Sequence, residues 1–146
     1  MIQERDLMNQ DGGVSMNKKE ALANFLEVSL EDIEEESCGS FTLGNEEYYV
    51  LTDEEADDKA EEYILNSIWA FNSWFLLAHM PSGIDEEIIK MAQEKCEGAN
   101  ETFTAMIIDL DHFVEDAISA DGRGHFLSSY DGAENEEGEY FIYRVN

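Results

Sequence analysis

The segment with the most recognisable chemistry is DGRGH, residues 121–125, which Ser128 and Ser129 follow closely. Glycines let a backbone approach a ligand, and a histidine can take the proton of a serine hydroxyl, so phosphate contact or hydrolysis is the chemistry to weigh. The sequence surrounds them with no nucleophile elbow and no strand, loop and helix typical of phosphate binding. We therefore favour a tight turn in which Arg123 pairs with a carboxylate. We expect no enzyme, and a small hydrolase using His125 is the alternative.

A metal site would need histidines, cysteines or acids at characteristic spacings. His79, His112 and His125 lack the spacing of a zinc set, and the two cysteines lie far apart. The acidic segment 131–139 lacks both the one, three, five spacing and the closing glutamate of a calcium loop. The sequence therefore predicts no metal and no cofactor. The cysteines fit reduced thiols in a cytosol better than a disulfide framework.

A run of carboxylates is the third constellation. LTDEEADDKAEEYI, residues 51–64, places seven carboxylates in ten residues with one lysine among them. Thr52 and Glu55 form a capping box, so a helix begins here. Its predicted apolar stripe is Ala56, Ala60, Tyr63, Ile64, Ser67 and Phe71. The arc opposite that stripe holds Glu54, Asp57, Asp58, Glu61 and Glu62.

These five acids repel one another. Like charges one turn apart cost a few tenths of a kcal/mol per pair, and the helix dipole compensates only acids of the first turn. Helix stability therefore does not explain the pattern. Ten helical residues span about 15 Å, and the same length of duplex DNA carries roughly nine phosphate charges. The helix thus approaches the charge density of a nucleic-acid backbone.

The whole chain is acidic as well. Thirty-five acidic residues against eight basic ones give a net charge of −27, whereas solubility of a small domain needs a magnitude of about 2 to 8. Such a charge disfavours direct contact with nucleic acid or anionic lipid and favours a basic partner. We predict that the five helix acids, together with Glu46, Glu47, Asp131 and Glu134, imitate phosphates in a basic groove. Acidity that serves only solubility is the alternative.

The spacing of apolar residues along the chain predicts an α+β fold, whose helices and strands position these acids. Helical spacing begins at Asn17, and further helices are predicted over about 52–71, 85–96 and 100–119, with 74–80 a candidate for another short one. In the helix over 85–96, Ile88, Met91 and Ala92 are predicted to face inward. Segments 40–43 and 48–51 read as a β-hairpin, and 140–145 as a terminal strand. We expect about four helices packed on a small three-stranded antiparallel sheet. Residues 1–15 read as a flexible tail, and 16–146 as a single domain.

Two tryptophans bear on self-association. We favour burial of Trp69 and Trp74; if they are exposed, they offer aromatic anchors for an interface, and a homodimer becomes the expectation. The longest apolar candidate, residues 68–80, falls short of a membrane span, and no signal peptide is evident. We therefore expect an intracellular protein with no membrane partner.

Two segments carry a resemblance to a known group: YYVLTDEEADDKAEEYI, residues 48–64, and ADGRGHFLSSYDGAENEEGEYFIYRVN, residues 120–146. They resemble small, acidic and mostly uncharacterised proteins of tailed phages and prophages, over about residues 17–146. Small acidic phage proteins often imitate nucleic acid and block host defences. The resemblance implies an inhibitor of a CRISPR effector or restriction nuclease, acting in the host cell cytoplasm. The alternative is a phage accessory or structural protein that self-associates and is acidic only for solubility.

Overall fold

The computed structural model describes residues 16–146. Its helices are α1 (Lys18–Leu26), α2 (Asp53–Asn66), α3 (Ser73–Ala78), α4 (Glu86–Gln93), α5 (Asn100–Met106), α6 (Leu110–Asp121) and α7 (Arg123–Leu127). Its strands are β1 (Glu34–Ser37), β2 (Ser40–Leu43), β3 (Glu46–Leu51), β4 (Asn135–Glu137) and β5 (Tyr140–Arg144). They form two compact units: residues 16–56 with Leu127–Asn146, and Asp57–Phe126. The tail predicted at residues 1–15 lies outside the described residues.

The first unit is built on a five-stranded antiparallel sheet with the order β1-β2-β3-β5-β4. The predicted hairpin is confirmed as β2 and β3, with Leu43 paired to Glu46. Only Gly44 and Asn45 join them, and Gly44 has φ 62°. A glycine with positive φ at the first position of a two-residue turn matches the twist of the strands it connects. The predicted terminal strand is confirmed as β5.

The α+β class is confirmed, whereas the element count was wrong. Within residues 16–146 there are five strands instead of three and seven helices instead of about four. The strands not predicted are β1 and β4, which have the sequences EEES and NEE. Glutamate and asparagine are poor strand formers, so these acids read as loops. Pairing with β2 and β5 imposes the extended conformation that the local sequence does not favour.

Helix α1 closes the core of the first unit. Asn17 and Glu20 form a capping box at its start, which fixes the position of the helix in the chain. Ala21 and Leu22 are fully buried in one cluster with Phe41, Val50 and further side chains of the sheet. This apolar face of the sheet holds β3 and its neighbours in register.

Tyr48, on β3, makes the stability of this unit depend on pH in the alkaline range. Its side chain is 3% exposed, and burial, together with a hydrogen bond that its hydroxyl donates to Glu46, raises its pKa from 10.0 to about 12. A raised pKa stabilises the native state fully below pH 10, and this contribution is lost as the pH rises towards 12. We expect a loss of about 2 to 3 kcal/mol. Urea unfolding between pH 9 and 12 measures it, and an equal loss in Tyr48→Phe would contradict this assignment.

The second unit is helical and has its own core. Its fully buried side chains include Ile64, Ile68, Leu76, Phe103, Phe113 and Ala117. The helix expected over 100–119 is divided into α5 and α6. Ile107 is extended and Asp109 caps α6, accepting a hydrogen bond from the backbone of His112. The Ile108 amide between them donates to the His79 carbonyl at 2.9 Å, so a tertiary contact fixes a break that the apolar period conceals.

Three inward assignments in this unit were wrong. Ile88 and Met91 of α4 are 59% and 67% exposed, and Ile89 is the buried residue instead. Tyr63, placed in the apolar stripe of α2, is 52% exposed. Tyr63 lies at the border of its stripe, in which Ala60 and Ile64 are buried as predicted, and the eight residues of α4 offer few turns to fix the phase of its apolar face. Within residues 16–146, no helix combines the length and apolar character that crossing a bilayer requires.

Candidate binding surface on helix α2

Helix α2 begins as the sequence predicts. The Thr52 amide donates to Glu55, and the Glu55 amide donates to the Thr52 hydroxyl, at 2.9 and 3.2 Å. Lys18 also contacts Glu55 at 2.7 Å. The hydrogen bond from Lys18, followed by that from the Thr52 amide, lowers the pKa of Glu55 below its usual range. Glu55 is thus used in building the helix.

The outward face of α2 is acidic, and four of its acids pair with no cation among the described residues. Ala56, Ala60 and Ile64 are fully buried and fix the inward face. The other acids of the helix are exposed, apart from a half-buried Glu61. Among residues 16–146, four of them have no cationic side chain within ion-pair distance: Glu54, Asp58, Glu61 and Glu62. This group is called the α2 acidic face below.

Asp57 differs from these four. Its carboxylate forms an ion pair with Arg123 at 3.0 Å, and the Arg123 side chain is only 10% exposed. The prediction that Arg123 pairs with a carboxylate is confirmed, although the residues around it begin helix α7 instead of forming a simple turn. Arg123 neutralises part of the charge at Asp57, so Asp57 resembles a phosphate less closely than its neighbours do.

Helix α6 extends the acidic surface. Asp57 and Glu61 line an open groove of about 440 Å³ with two carboxylates of α6, Asp111 and Glu115. Apolar atoms of Val114 and Ile118 form the rest of its lining together with Ser119. Asp111 was not predicted as part of the surface. A groove lined by carboxylates of two helices and by apolar atoms can accept lysine or arginine side chains, whose methylene stems can contact the apolar atoms.

Three of the four predicted acids of the first unit have side-chain partners inside that unit. Glu46 accepts the Tyr48 hydroxyl and lies 3.7 Å from Arg144. Asp131 accepts hydrogen bonds from the Ala133 amide and the Ser128 hydroxyl, which lower its pKa. Glu134 accepts the Tyr143 hydroxyl at 2.6 Å, and Glu47 is exposed on β3. Three of the four therefore support the sheet and its loops.

The DGRGH segment lines a second cavity. His125 and Asp121 share about 360 Å³ with Tyr63, Phe71 and further side chains of the second unit. The His125 ring packs edge-on against Phe126. The Ser129 hydroxyl donates to the Val145 carbonyl at 2.8 Å, and the single proton of the Ser128 hydroxyl is shared between Asp131 and the Arg144 carbonyl, which lies 2.7 Å away. These bonds anchor the end of the chain.

Two histidines meet at one carboxylate. His79 Nε2 lies 2.9 Å from Asp116 Oδ2, and His112 Nε2 lies 3.9 Å from Asp116 Oδ1. Ligand atoms of all three residues lie within 4.8 Å of one another. The spacing of these residues in the sequence did not predict that they form a cluster. His112 and Asp116 are one turn apart, which is visible in the sequence, whereas His79 is brought in by the end of α3.

Comparisons with known proteins assign no function to this chain. The chain matches no protein-family model, no curated protein and no solved structure. Function is therefore argued from the charge and geometry of the sites.

Proposed function

We propose that this protein binds the basic groove of a nucleic-acid-binding protein through the α2 acidic face and acts stoichiometrically as a nucleic-acid mimic. The observation that carries the proposal is the absence, among residues 16–146, of any cation paired with the four acids of that face. Other acids of the chain cap helices or accept hydrogen bonds from loops, as Glu55 and Asp131 do. The four acids of the α2 acidic face have no such structural partner in the part of the chain that the structure describes, and they raise the repulsion within the helix.

The class of partner follows from this charge. Basic grooves that hold duplex DNA present arginine and lysine at phosphate spacing, and carboxylates along a rigid helix offer them charge-assisted hydrogen bonds. The groove with Asp111 and Glu115 widens the contact beyond a single helix. We propose a CRISPR effector or restriction nuclease of a bacterial host as the target, in the host cytoplasm, which agrees with the phage resemblance. Association of this kind is fast and weakens as salt rises.

A competition experiment tests the proposal. The immobilised protein is incubated with host lysate at low salt, and the captured proteins are then challenged with duplex DNA or with high salt. The proposal predicts that captured proteins bind nucleic acid and that both treatments release them. Capture that persists in the presence of duplex DNA would contradict mimicry, because a mimic and the DNA must compete for one groove.

Self-association is the second candidate, and the exposure of Trp74 favours it. Trp69 packs partly buried against the core of the second unit, whereas Trp74 is 63% exposed, so the expected burial is wrong for Trp74. An exposed tryptophan is a frequent interface anchor. This candidate predicts a dimer in sedimentation that disappears in Trp74→Ala and persists in Tyr63→Ala, which removes an exposed aromatic ring of the same unit. A monomer at all concentrations would exclude it.

A further inference from the structure

The cluster of His79, His112 and Asp116 has the composition of a transition-metal site. His79 is the C-cap residue of α3, and the other two lie one turn apart on α6. Two imidazole nitrogens and a carboxylate oxygen are ligands that zinc and its first-row neighbours prefer, whereas calcium and magnesium prefer oxygen alone. The donor set therefore distinguishes this cluster from the many carboxylates of the surface.

Distances in the cluster suit a metal ion. Zinc holds nitrogen and oxygen ligands at about 2.0 to 2.2 Å in a tetrahedron, so neighbouring ligand atoms lie about 3.3 to 3.6 Å apart. The two separations from Asp116, 2.9 Å to His79 and 3.9 Å to His112, lie on either side of that range. The three ligand atoms lie within 4.8 Å of one another, and rotation of the exposed His112 and Asp116 side chains would bring them closer to one ion. A hydrogen bond between His79 and Asp116 explains the first distance; the second imidazole is placed beside them by its i,i+4 position on α6 and by an edge-on contact between the His112 and His79 rings, with a centroid distance of 5.2 Å.

Packing against neighbouring rings fixes the orientation of His79, whereas His112 and Asp116 are accessible to solvent. The His79 side chain is 8% exposed, and its ring packs against Phe75 and Phe113 with centroid distances of 5.3 and 5.2 Å. His112 and Asp116 are 59% and 49% exposed. A buried ligand of fixed orientation beside two exposed ones gives a preorganised site that an ion can reach from solvent.

We propose that His79, His112 and Asp116 bind one first-row divalent metal ion, with zinc as the best match, in a three-ligand site whose remaining coordination positions face solvent. Three protein ligands with an open position are the arrangement in which bound water is activated, whereas purely structural zinc sites are closed by four ligands. The ion would also connect the end of α3 to α6. This inference does not depend on the function proposed above.

Titration with metal alone tests the site. The full chain is treated with a chelator and titrated calorimetrically with Zn²⁺, in a background where Cys38 and Cys96, both exposed, are replaced by serine. We expect one tight event per chain that excess Mg²⁺ does not displace. His112→Ala should weaken it more than about 100-fold, since even residues that only orient a ligand contribute 10 to 100-fold. Co²⁺ should give a visible spectrum that His112→Ala removes.

Two matched variants keep the result interpretable. His125→Ala removes the histidine that lies outside the cluster, and Asp111→Asn removes an exposed carboxylate of the same helix. Both should bind Zn²⁺ as the parent does. Unchanged binding in His112→Ala, or an equal loss in Asp111→Asn, would overturn the proposal in favour of general association with surface carboxylates. Circular dichroism checks folding, and the exposure of His112 makes His112→Ala the variant best tolerated by the core.

Discussion

Replacing Asp58 and Glu61 by lysine is expected to weaken binding to a DNA-binding partner at least about 100-fold, equivalent to roughly 3 kcal/mol. Each substitution removes an attraction and places a cation against the basic groove, where juxtaposed like charges cost several kcal/mol. Neither residue pairs with a cation among residues 16–146. The fold should therefore survive, because lysine is a good helix former and repulsion along α2 decreases.

The measurement is the affinity for a captured host protein, with circular dichroism to confirm folding. Glu34→Lys with Glu35→Lys makes the same change in net charge on β1, where both side chains are exposed. This control should retain most of the affinity and lose only the part that depends on overall charge. Equal losses in the two double variants would show that total charge, and not the α2 acidic face, attracts the partner.

The substitution Phe113→Ala is expected to lower the free energy of unfolding by about 3 to 5 kcal/mol. Phe113 is fully buried on α6, and its ring contacts Phe71, Phe75 and His79 with centroid distances of 5.1 to 5.3 Å. Alanine would leave a cavity among these rings and remove their edge-to-face contacts. Whole domains are stable by only about 5 to 15 kcal/mol, so the second unit would lose much of its stability.

Thermal and urea unfolding measure this loss. Ile108→Ala is the matched control, because Ile108 is a large apolar residue near the start of α6 and is 72% exposed. Exposed positions of this kind change stability by less than about 0.5 kcal/mol. A small effect of Phe113→Ala would mean that the ring cluster does not form the core of this unit in solution.

The predicted parts of the fold are those specified by local signals. Asn17 caps α1 through its own side chain, and Gly44 with Asn45 closes the hairpin by itself. The break between α5 and α6 was missed because it depends on the His79 carbonyl, 29 residues from the Ile108 amide that it accepts. Edge strands β1 and β4 were missed because their pairing partners, and not their glutamates, make them extended.

In the candidate site, too, local sequence signals specify some features and tertiary packing specifies the others. Exposure of the α2 acids follows from the spacing of Ala56, Ala60 and Ile64, which are all buried. The groove depends on where α6 lies beside α2, and no local pattern in the sequence specifies that Asp111 belongs to it. The metal cluster depends likewise on the end of α3. Sequence therefore specifies which face of a helix is exposed, whereas tertiary packing decides which other acids and histidines join it.

The glutamates at both borders of the sheet restrict how copies of this protein can meet. Outermost strands offer unpaired backbone groups on which a neighbouring chain can polymerise, and charged side chains are a common protection against this. All four residues of β1 are exposed and three are glutamates, and β4 carries two more. Either border of one molecule would meet the same sign of charge on the next, so growth of a shared sheet into fibrils or swapped dimers is disfavoured at neutral pH.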